Sequence, residues 1–275
     1  MSTIPTITLN NGVRMPQLGF GVFQVPDEQT TAAVRTAIDA GYRSIDTAAI
    51  YGNESGVGRA VAESGVAREE LFLTSKLWNS DQGYDSTLRA YDATVARLGV
   101  DHLDLYLIHW PSPARALFVD SWRALESLYR DGRVRAIGVS NFQPSHLDIL
   151  TAAASIAPAI NQIELHPALR NRAVEDANAR LCIAREGWSP PGGGPTPAES
   201  PVLQASARHG KTPAQVVLRW HLQQGRVVIP KSVTPARIAE NLGVFDFDLG
   251  ADEIHAIDAL DREGRTGPHP DTFEG

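Results

Sequence analysis

The chain has 275 residues, 43% hydrophobic and 21% charged, which is ordinary for a globular protein with a sizeable core. Its formal net charge of −7 argues against binding to nucleic acid or to an anionic membrane surface, because both attract basic proteins. No apolar run approaches the roughly 20 residues that span a bilayer, and the first residues lack a signal-peptide pattern, so we expect a cytoplasmic protein without membrane partners.

The first predicted element is a small β-hairpin between Ile7 and Leu18. It contains Asn11-Gly12, a dipeptide that is a strong signal for a hairpin turn. The hairpin precedes the repeating pattern of the remaining chain and stands outside it.

Eight strand-like segments follow, separated by amphipathic helical stretches. The predicted strands are Gln17–Val22, Arg43–Thr47, Leu71–Leu77, Leu103–His109, Val134–Ser140, Ile160–Leu165, Cys182–Trp188 and Arg226–Lys231. Several are nearly continuous apolar runs, as expected of parallel strands that are buried on both faces. Eight βα units predict an α/β fold, a (β/α)₈ TIM barrel formed by one domain over residues 1–275, with the N-terminal hairpin covering the barrel bottom.

Sequence signals also mark helix ends and one long loop. The helical stretch Pro26–Tyr42 closes with Gly41, the residue type favoured at a helix C-cap. Thr212-Pro213 supplies an N-cap and a first-turn proline for another helix. Residues 189–201, rich in glycine and proline, predict an irregular loop after the seventh strand, and we favour a loop over a ligand to a plain surface loop.

Several familiar kinds of site are not indicated. Cys182 is the only cysteine, so no intrachain disulfide is possible, and its apolar neighbours favour a buried, inert thiol. Gly56-Val57-Gly58 is followed by Val61 where a Rossmann fingerprint has glycine. The sequence contains no hydrolase elbow and no metal-ligand spacing, and it places no paired carboxylates at the strand ends.

Polar side chains collect at the carboxyl ends of the predicted strands, where barrels of this kind carry their chemistry. Asp46 and Tyr51 follow the second strand, Lys76 ends the third and His109 ends the fourth. Taken singly, each of these residues could be a turn residue, a packing aromatic or half of a structural ion pair. However, three neighbouring strands place all four at the same open end of the barrel. Lys76 is one of three lysines among 25 basic residues, which suggests that arginine would not serve there.

Seven motifs in order along the chain resemble the aldo-keto reductase superfamily. They are Gly41–Ala48, Tyr51–Glu54, Thr74–Trp78, Leu103–Pro111, Ile137–Phe142, Asn161–Pro167 and Ile229–Ser232. The short loop after the fourth strand and the ending Gly267–Phe273 look like the bacterial branch that includes 2,5-diketo-gluconate reductases. The resemblance covers essentially the whole chain, and it implies an enzyme that reduces aldehydes, ketones or keto-sugars to alcohols with NADPH.

The resemblance also implies four catalytic roles. Tyr51 is the general acid, and a cation beside it lowers a phenol pKa that is otherwise about 10. Lys76 is that cation, held and kept charged by Asp46. His109 donates a hydrogen bond to the carbonyl oxygen, where negative charge develops.

The family resemblance also assigns residues at and after other strand ends to cofactor binding. The residues are Ser140, Asn141, Gln162, Trp188, Ser189, Lys231, Ser232, Arg237, Glu240 and Asn241. The first three would bind the nicotinamide carboxamide, and Trp188 would stack on the ring unless it belongs to the core. Lys231 and Arg237, near a helix start, suit a ribose 2′-phosphate and favour NADPH over NADH, unless Arg237 is only a solvated helix residue. Glu240 and Asn241 would face the adenine.

Trp78, Trp110 and the tail near Phe273 are expected to line a partly apolar substrate pocket.

Pro191 departs from the family pattern and removes a backbone donor, so we expect weaker NADPH binding or a loop that stays mobile without the cofactor. A second hypothesis is that the protein is a regulatory barrel that senses NADPH and turns over slowly. The presence of all four residues of the catalytic quartet (Asp46, Tyr51, Lys76 and His109) disfavours it. We expect a monomer that binds NADPH and a small carbonyl substrate.

Overall fold

The computed structural model describes residues 4–188 and 200–275 and contains an antiparallel hairpin and an eight-stranded parallel sheet. The hairpin strands are β1 (Thr6–Thr8) and β2 (Arg14–Pro16). The parallel strands are β3 (Phe20–Gly21), β4 (Ser44–Asp46), β5 (Phe72–Leu77), β6 (Leu103–Ile108), β7 (Val134–Ser140), β8 (Ile160–Glu164), β9 (Ala184–Trp188) and β10 (Val227–Val228). They pair in sequence order, so that all their carboxyl ends meet on one side.

The sheet closes on itself between its first and last strands. Leu18 forms a parallel bridge with Val228, and the N–H of Gly19 donates to the Val228 carbonyl over 2.8 Å. The predicted (β/α)₈ barrel is confirmed, with observed strands shorter than most of the predicted ones.

Helices connect the strands and pack their apolar faces on the barrel. They are α1 (Asp27–Ala40), α2 (Glu54–Glu63), α3 (Tyr84–Leu98), α4 (Phe118–Arg130), α5 (Pro144–Ala153), α6 (Arg172–Arg180), α7 (Ser200–His209), α8 (Pro213–Gln223), α9 (Pro235–Glu240) and α10 (Ala251–Asp258). Gly41 caps α1 with a left-handed φ of 118°, and the Thr212 side chain accepts the Gln215 N–H at the start of α8. Both predicted helix ends are confirmed.

The hairpin covers the end of the barrel opposite the strand carboxyl ends. Leu9 and Met15 are buried and pack in one cluster with Phe72 and Ile160, at the amino ends of β5 and β8. The Asn10 amide donates to the Pro158 carbonyl over 2.8 Å. The predicted cover of the barrel bottom is therefore confirmed.

Two predictions around the seventh barrel strand are wrong. Cys182 is exposed, because it occupies a left-handed turn position (φ 55°) after α6 and the strand begins only at Ala184. The predicted loop does not extend to Pro201, which lies in the first turn of α7, where a missing N–H costs no helical hydrogen bond. Residues 189–199 lie outside the described residues.

Within residues 4–188 and 200–275, no helix is long and apolar enough to cross a membrane. The same residues contain no group of three or more histidine, cysteine, aspartate or glutamate side chains that could hold a metal ion.

Candidate active site

A buried ion pair lies at the carboxyl ends of β4 and β5. The Nζ atom of Lys76 lies 2.5 Å from Oδ1 of Asp46, and it also donates to the Thr47 carbonyl over 3.0 Å. Burial opposes the charge on Lys76, but Asp46, Tyr51 and Glu186 together outweigh it, with Asp46 contributing most, and the pKa of Lys76 lies above its usual value. Lys76 is therefore a stable cation inside the barrel.

Tyr51 ends a short 3₁₀ helix that follows β4, and its ring faces this cation. The ring centroid lies 5.2 Å from Lys76 Nζ, 5.7 Å from the His109 ring and 5.1 Å from the Phe23 ring. Burial raises the pKa of Tyr51, and Lys76 offsets only part of that effect. The net shift is opposite to the lowering expected from the sequence, because removal of the phenolate from water outweighs the cation.

His109 follows β6 and completes the quartet. Burial lowers its pKa well below the usual value, and the nearby charge of Lys76 lowers it further, so the imidazole is neutral at pH 7. Its Nδ1 atom is buried without a hydrogen-bond partner among residues 4–188 and 200–275. A neutral imidazole carries one N–H, so His109 can donate a hydrogen bond to a carbonyl oxygen without carrying a charge.

A second polar cluster extends across the barrel interior from Asp46. The Nε2 atom of Gln162 donates to Asp46 Oδ2 and to Glu186 Oε2, each over 2.9 Å. Gln162 and Glu186 are register partners on β8 and β9. Glu186 is fully buried, and burial, then the charge of Asp46, raise its pKa far above the usual value. The sequence does not single out Glu186, although its position two residues before Trp188 places both side chains on one face of the strand.

The residues expected to bind the nicotinamide lie beside this cluster. The hydroxyl of Ser140 donates to the Gln162 carbonyl over 2.9 Å. The Asn141 amide donates to the His109 carbonyl over 3.0 Å, and its Oδ1 accepts the Trp188 indole N–H over 2.8 Å. The structure therefore brings these four residues together next to Asp46, Tyr51, Lys76 and His109, the four candidate catalytic residues.

Aromatic side chains form one wall of the mouth. The Phe273 ring lies 4.6 Å from Trp110 and 6.3 Å from Trp78, measured between centroids. His109 contacts both tryptophans, at 6.4 and 5.2 Å. The predicted lining residues therefore meet around the quartet. Phe23, 53% exposed beside Tyr51, adds an apolar surface that the sequence does not indicate.

The residues expected to bind the adenosine half of the cofactor surround α9. Lys231 and Arg237 are exposed, and neither forms an ion pair within the part of the chain that the structure describes. The nearby basic residue Lys211, in contrast, pairs with Asp246 over 2.6 Å.

Three further residues of this group lie in the same region. Ser232 accepts the N–H of Thr234, Glu240 accepts the Thr212 hydroxyl over 2.7 Å, and Asn241 is half-buried at the end of α9. Ser189 lies outside the described residues.

The carboxylate of Glu164 anchors the C-terminal segment to this mouth. It accepts the N–H and the hydroxyl of Thr266 over 2.7 and 2.6 Å and the N–H of Gly267 over 3.1 Å. Burial opposes ionisation of Glu164, but hydrogen bonds from His166, Thr266 and Gly267 outweigh it and lower its pKa to about 2. A β-carbon at Gly267 would lie 2.6 Å from the Trp188 ring, so the anchored segment packs tightly against that indole.

We expect Glu164→Gln to lower the free energy of unfolding at pH 7. The lowered pKa makes the carboxylate stabilising above pH 4.5, and this contribution disappears as the pH falls through about 2. It amounts to at most about 3 kcal/mol, before reduction by solvent screening. Urea unfolding of both proteins at pH 7 and pH 3 measures it. The difference between them should shrink at pH 3, and a difference independent of pH would contradict the anchor.

Comparison with known proteins identifies the family. The sequence model of the Aldo/keto reductase family matches residues 17–187 and 199–262. The chain belongs to this family. An aldo-keto reductase of Mycolicibacterium smegmatis is 56% identical to it over 98% of each chain, and the glyoxal reductase of Bacillus subtilis is 52% identical over 97% of this chain and 96% of its own. A solved structure of a Gox0644 variant in complex with NADPH is 46% identical, has a TM-score of 0.95 and covers 99% of both chains.

These matches confirm the family and the bacterial branch that the sequence motifs indicate. The protein is an oxidoreductase of the aldo/keto reductase family. The individual roles of Tyr51, Lys76, His109 and the cofactor residues stay predictions.

Proposed function

We propose that the protein reduces small aldehydes, ketones or keto-sugars to alcohols with NADPH, and that Tyr51 is the general acid. The observation that carries this proposal is the buried Lys76–Asp46 ion pair, whose ammonium lies 5.2 Å from the centre of the Tyr51 ring. A neutral His109 faces the same ring.

The side chains of the quartet act on the oxygen of the substrate. NADPH, when bound, supplies a hydride to the carbonyl carbon. His109 donates a hydrogen bond to the carbonyl oxygen, and Tyr51 transfers its proton to that oxygen as the alcohol forms. The resulting phenolate is stabilised by Lys76, whose own charge Asp46 maintains. Since burial alone disfavours the phenolate, the lysine is the group that makes Tyr51 a usable acid.

The described residues fit the nicotinamide end of NADPH. Gln162 Oε1 accepts no hydrogen bond from the residues that the structure describes, and the Oδ1 atom of Asn141 accepts only one of its possible two. These oxygens suit the amide hydrogens of a carboxamide. Trp188, held by Asn141 through its indole N–H, presents an aromatic ring beside them.

The residues proposed to bind the 2′-phosphate of NADPH are assigned on the basis of their charge. A ribose 2′-phosphate adds about −1.5 to −2 charge, judged from phosphate monoesters in general. Lys231 and Arg237 are exposed cations without an ion pair among the described residues, so both are available to it. This is the reason to assign NADPH rather than NADH.

We expect Arg237→Ala to weaken NADPH binding roughly tenfold to a hundredfold while changing NADH binding little. Quenching of tryptophan fluorescence by each cofactor measures both dissociation constants. Arg89→Ala is the matched control, since Arg89 is an exposed arginine on α3 and the net charge changes equally. Equal losses for NADPH and NADH would assign Arg237 to the adenine or to the fold.

The substrate class follows from the aromatic wall and from the relatives. The mouth is lined by Trp78, Trp110 and Phe273, which suits a partly apolar substrate. The Bacillus subtilis relative is named glyoxal reductase, and small 1,2-dicarbonyls are therefore the first substrates to test.

Steady-state oxidation of NADPH with a panel of aldehydes, ketones and keto-sugars tests the proposal. Turnover of at least one small carbonyl at an ordinary enzymatic rate, above about 1 per second, is the expected result. Tight NADPH binding with negligible turnover across the panel would favour the sensing barrel instead. The cytoplasmic location and the monomeric state stay predictions.

A further inference from the structure

Glu186 is a fully buried carboxyl that the proposed chemistry does not use. Its Oε2 atom accepts a hydrogen bond from Gln162, whereas its Oε1 atom is buried without a partner among residues 4–188 and 200–275. Among the described residues its one hydrogen bond comes from a neighbouring amide, and a buried acid with so few partners costs free energy, so its place in the barrel interior calls for a role.

The contact with Glu186 fixes the orientation of the Gln162 amide. Both hydrogens of the amide nitrogen are taken, one by Asp46 and one by Glu186. Turning the amide over would direct its oxygen at two carboxyl oxygens, which repel it. Asp46 alone also disfavours the turned amide, but it leaves the second amide hydrogen without an acceptor and holds the amide plane at one point instead of two. With both acceptors present, Gln162 Oε1 stays free as an acceptor.

We propose that Glu186 is a positioning residue that locks the Gln162 amide so that its Oε1 atom accepts a hydrogen bond from the nicotinamide carboxamide. This inference rests on the proposed function, because it takes Gln162 as a contact of the cofactor.

The protonation of Glu186 agrees with this role. Burial raises the pKa of Glu186, the Asp46 carboxylate raises it further, and Lys76 opposes this rise only in part. A proton on the unpartnered Oε1 leaves Oε2 as the acceptor for Gln162. Glutamine at position 186 would offer the same acceptor with the same shape, whereas leucine would fill the space and offer none.

Dissociation constants for three ligands test the proposal in the wild type, Glu186→Leu and Glu186→Gln. The ligands are NADPH, 2′-phosphoadenosine diphosphoribose, which lacks the nicotinamide, and the acetylpyridine analogue of NADPH, which lacks the amide hydrogens. Glu186→Leu should weaken NADPH roughly tenfold, change the phosphoribose ligand less than about twofold, and abolish the preference for NADPH over the acetyl analogue. Glu186→Gln should stay within about threefold of the wild type for all three.

Each other result counts against a stated part of the account. Equal weakening of NADPH and the phosphoribose ligand by Glu186→Leu would mean a general structural role and overturn the inference, as would an unchanged preference for the carboxamide. A wild type that binds neither NADPH nor the phosphoribose ligand would refute the proposed function, and the inference with it. Thermal unfolding without cofactor reports the fold of each variant, and Glu186→Met replaces Glu186→Leu if the branched side chain does not fit.

Discussion

Tyr51→Phe should lower kcat for carbonyl reduction by about 100- to 10,000-fold, the usual contribution of a positioned general acid. The substitution removes one oxygen and its proton and leaves the ring contacts with Phe23 and His109 in place. NADPH binding should change less than about twofold, because Tyr51 is not assigned to the cofactor. Steady-state kinetics with a small dicarbonyl and fluorescence titration with NADPH measure the two quantities.

Tyr84→Phe is the matched control for this variant. Tyr84 is 41% exposed on α3, and its hydroxyl forms a hydrogen bond with the Ser127 hydroxyl, so the same chemical change is made away from the mouth. Its kcat should equal that of the wild type. Near-normal turnover by Tyr51→Phe would show that another group supplies the proton.

Lys76→Met should lower kcat about as much as Tyr51→Phe does, because the Tyr51 phenolate loses the cation that stabilises it. Reduction needs protonated Tyr51, so wild-type activity falls as the pH rises through the pKa of that phenol. Without Lys76 the pKa of Tyr51 rises further, and this alkaline limb should move to higher pH or vanish. Rates measured from neutral pH to as far above pH 10 as both proteins stay folded give the profile, because the pKa of Tyr51 is raised above its ordinary value.

A measurement of thermal stability separates the catalytic effect of Lys76→Met from its structural effect. Methionine leaves Asp46 buried without its ion-pair partner, and breaking such a pair costs about 3–5 kcal/mol. Thermal unfolding therefore shows whether the variant is folded at the assay temperature. Lys211→Met, which breaks an ion pair with exposed Asp246, is the control and should retain the wild-type profile. A folded Lys76→Met enzyme with good activity and an unchanged alkaline limb would make Lys76 purely structural.

The barrel and its quartet follow from local patterns in the sequence. Apolar runs such as Leu103–Ile108 indicate strands buried on both faces, and residues such as Gly41 and Thr212 mark helix ends. Parallel strands in sequence order place Asp46 and Lys76 at one end of the sheet, so their meeting is predictable. The family motifs assign the roles that these patterns leave open.

Features that depend on the closed barrel are not predictable in this way. The hydrogen bond from Gln162 to Asp46 joins residues 116 positions apart across the interior, and only the curvature of the sheet brings them together. Glu186 belongs to the same hydrogen-bond network, but nothing in the sequence distinguishes it from an ordinary acidic residue. The raised pKa of Tyr51 likewise depends on burial, which spacing does not report. Cys182 is exposed because the chain turns there, two residues before the strand begins at Ala184.

The fate of the hydrogen on NADPH tests the central claim most directly. NADPH in which both hydrogens at C4 of the nicotinamide are deuterium is incubated with the protein and glyoxal, and the product is examined by mass spectrometry. The account predicts an alcohol with one deuterium on the former carbonyl carbon, formed in step with NADPH oxidation and nearly absent with Tyr51→Phe. Loss of NADPH without a labelled alcohol, or an equal yield from Tyr51→Phe, would contradict carbonyl reduction at this site.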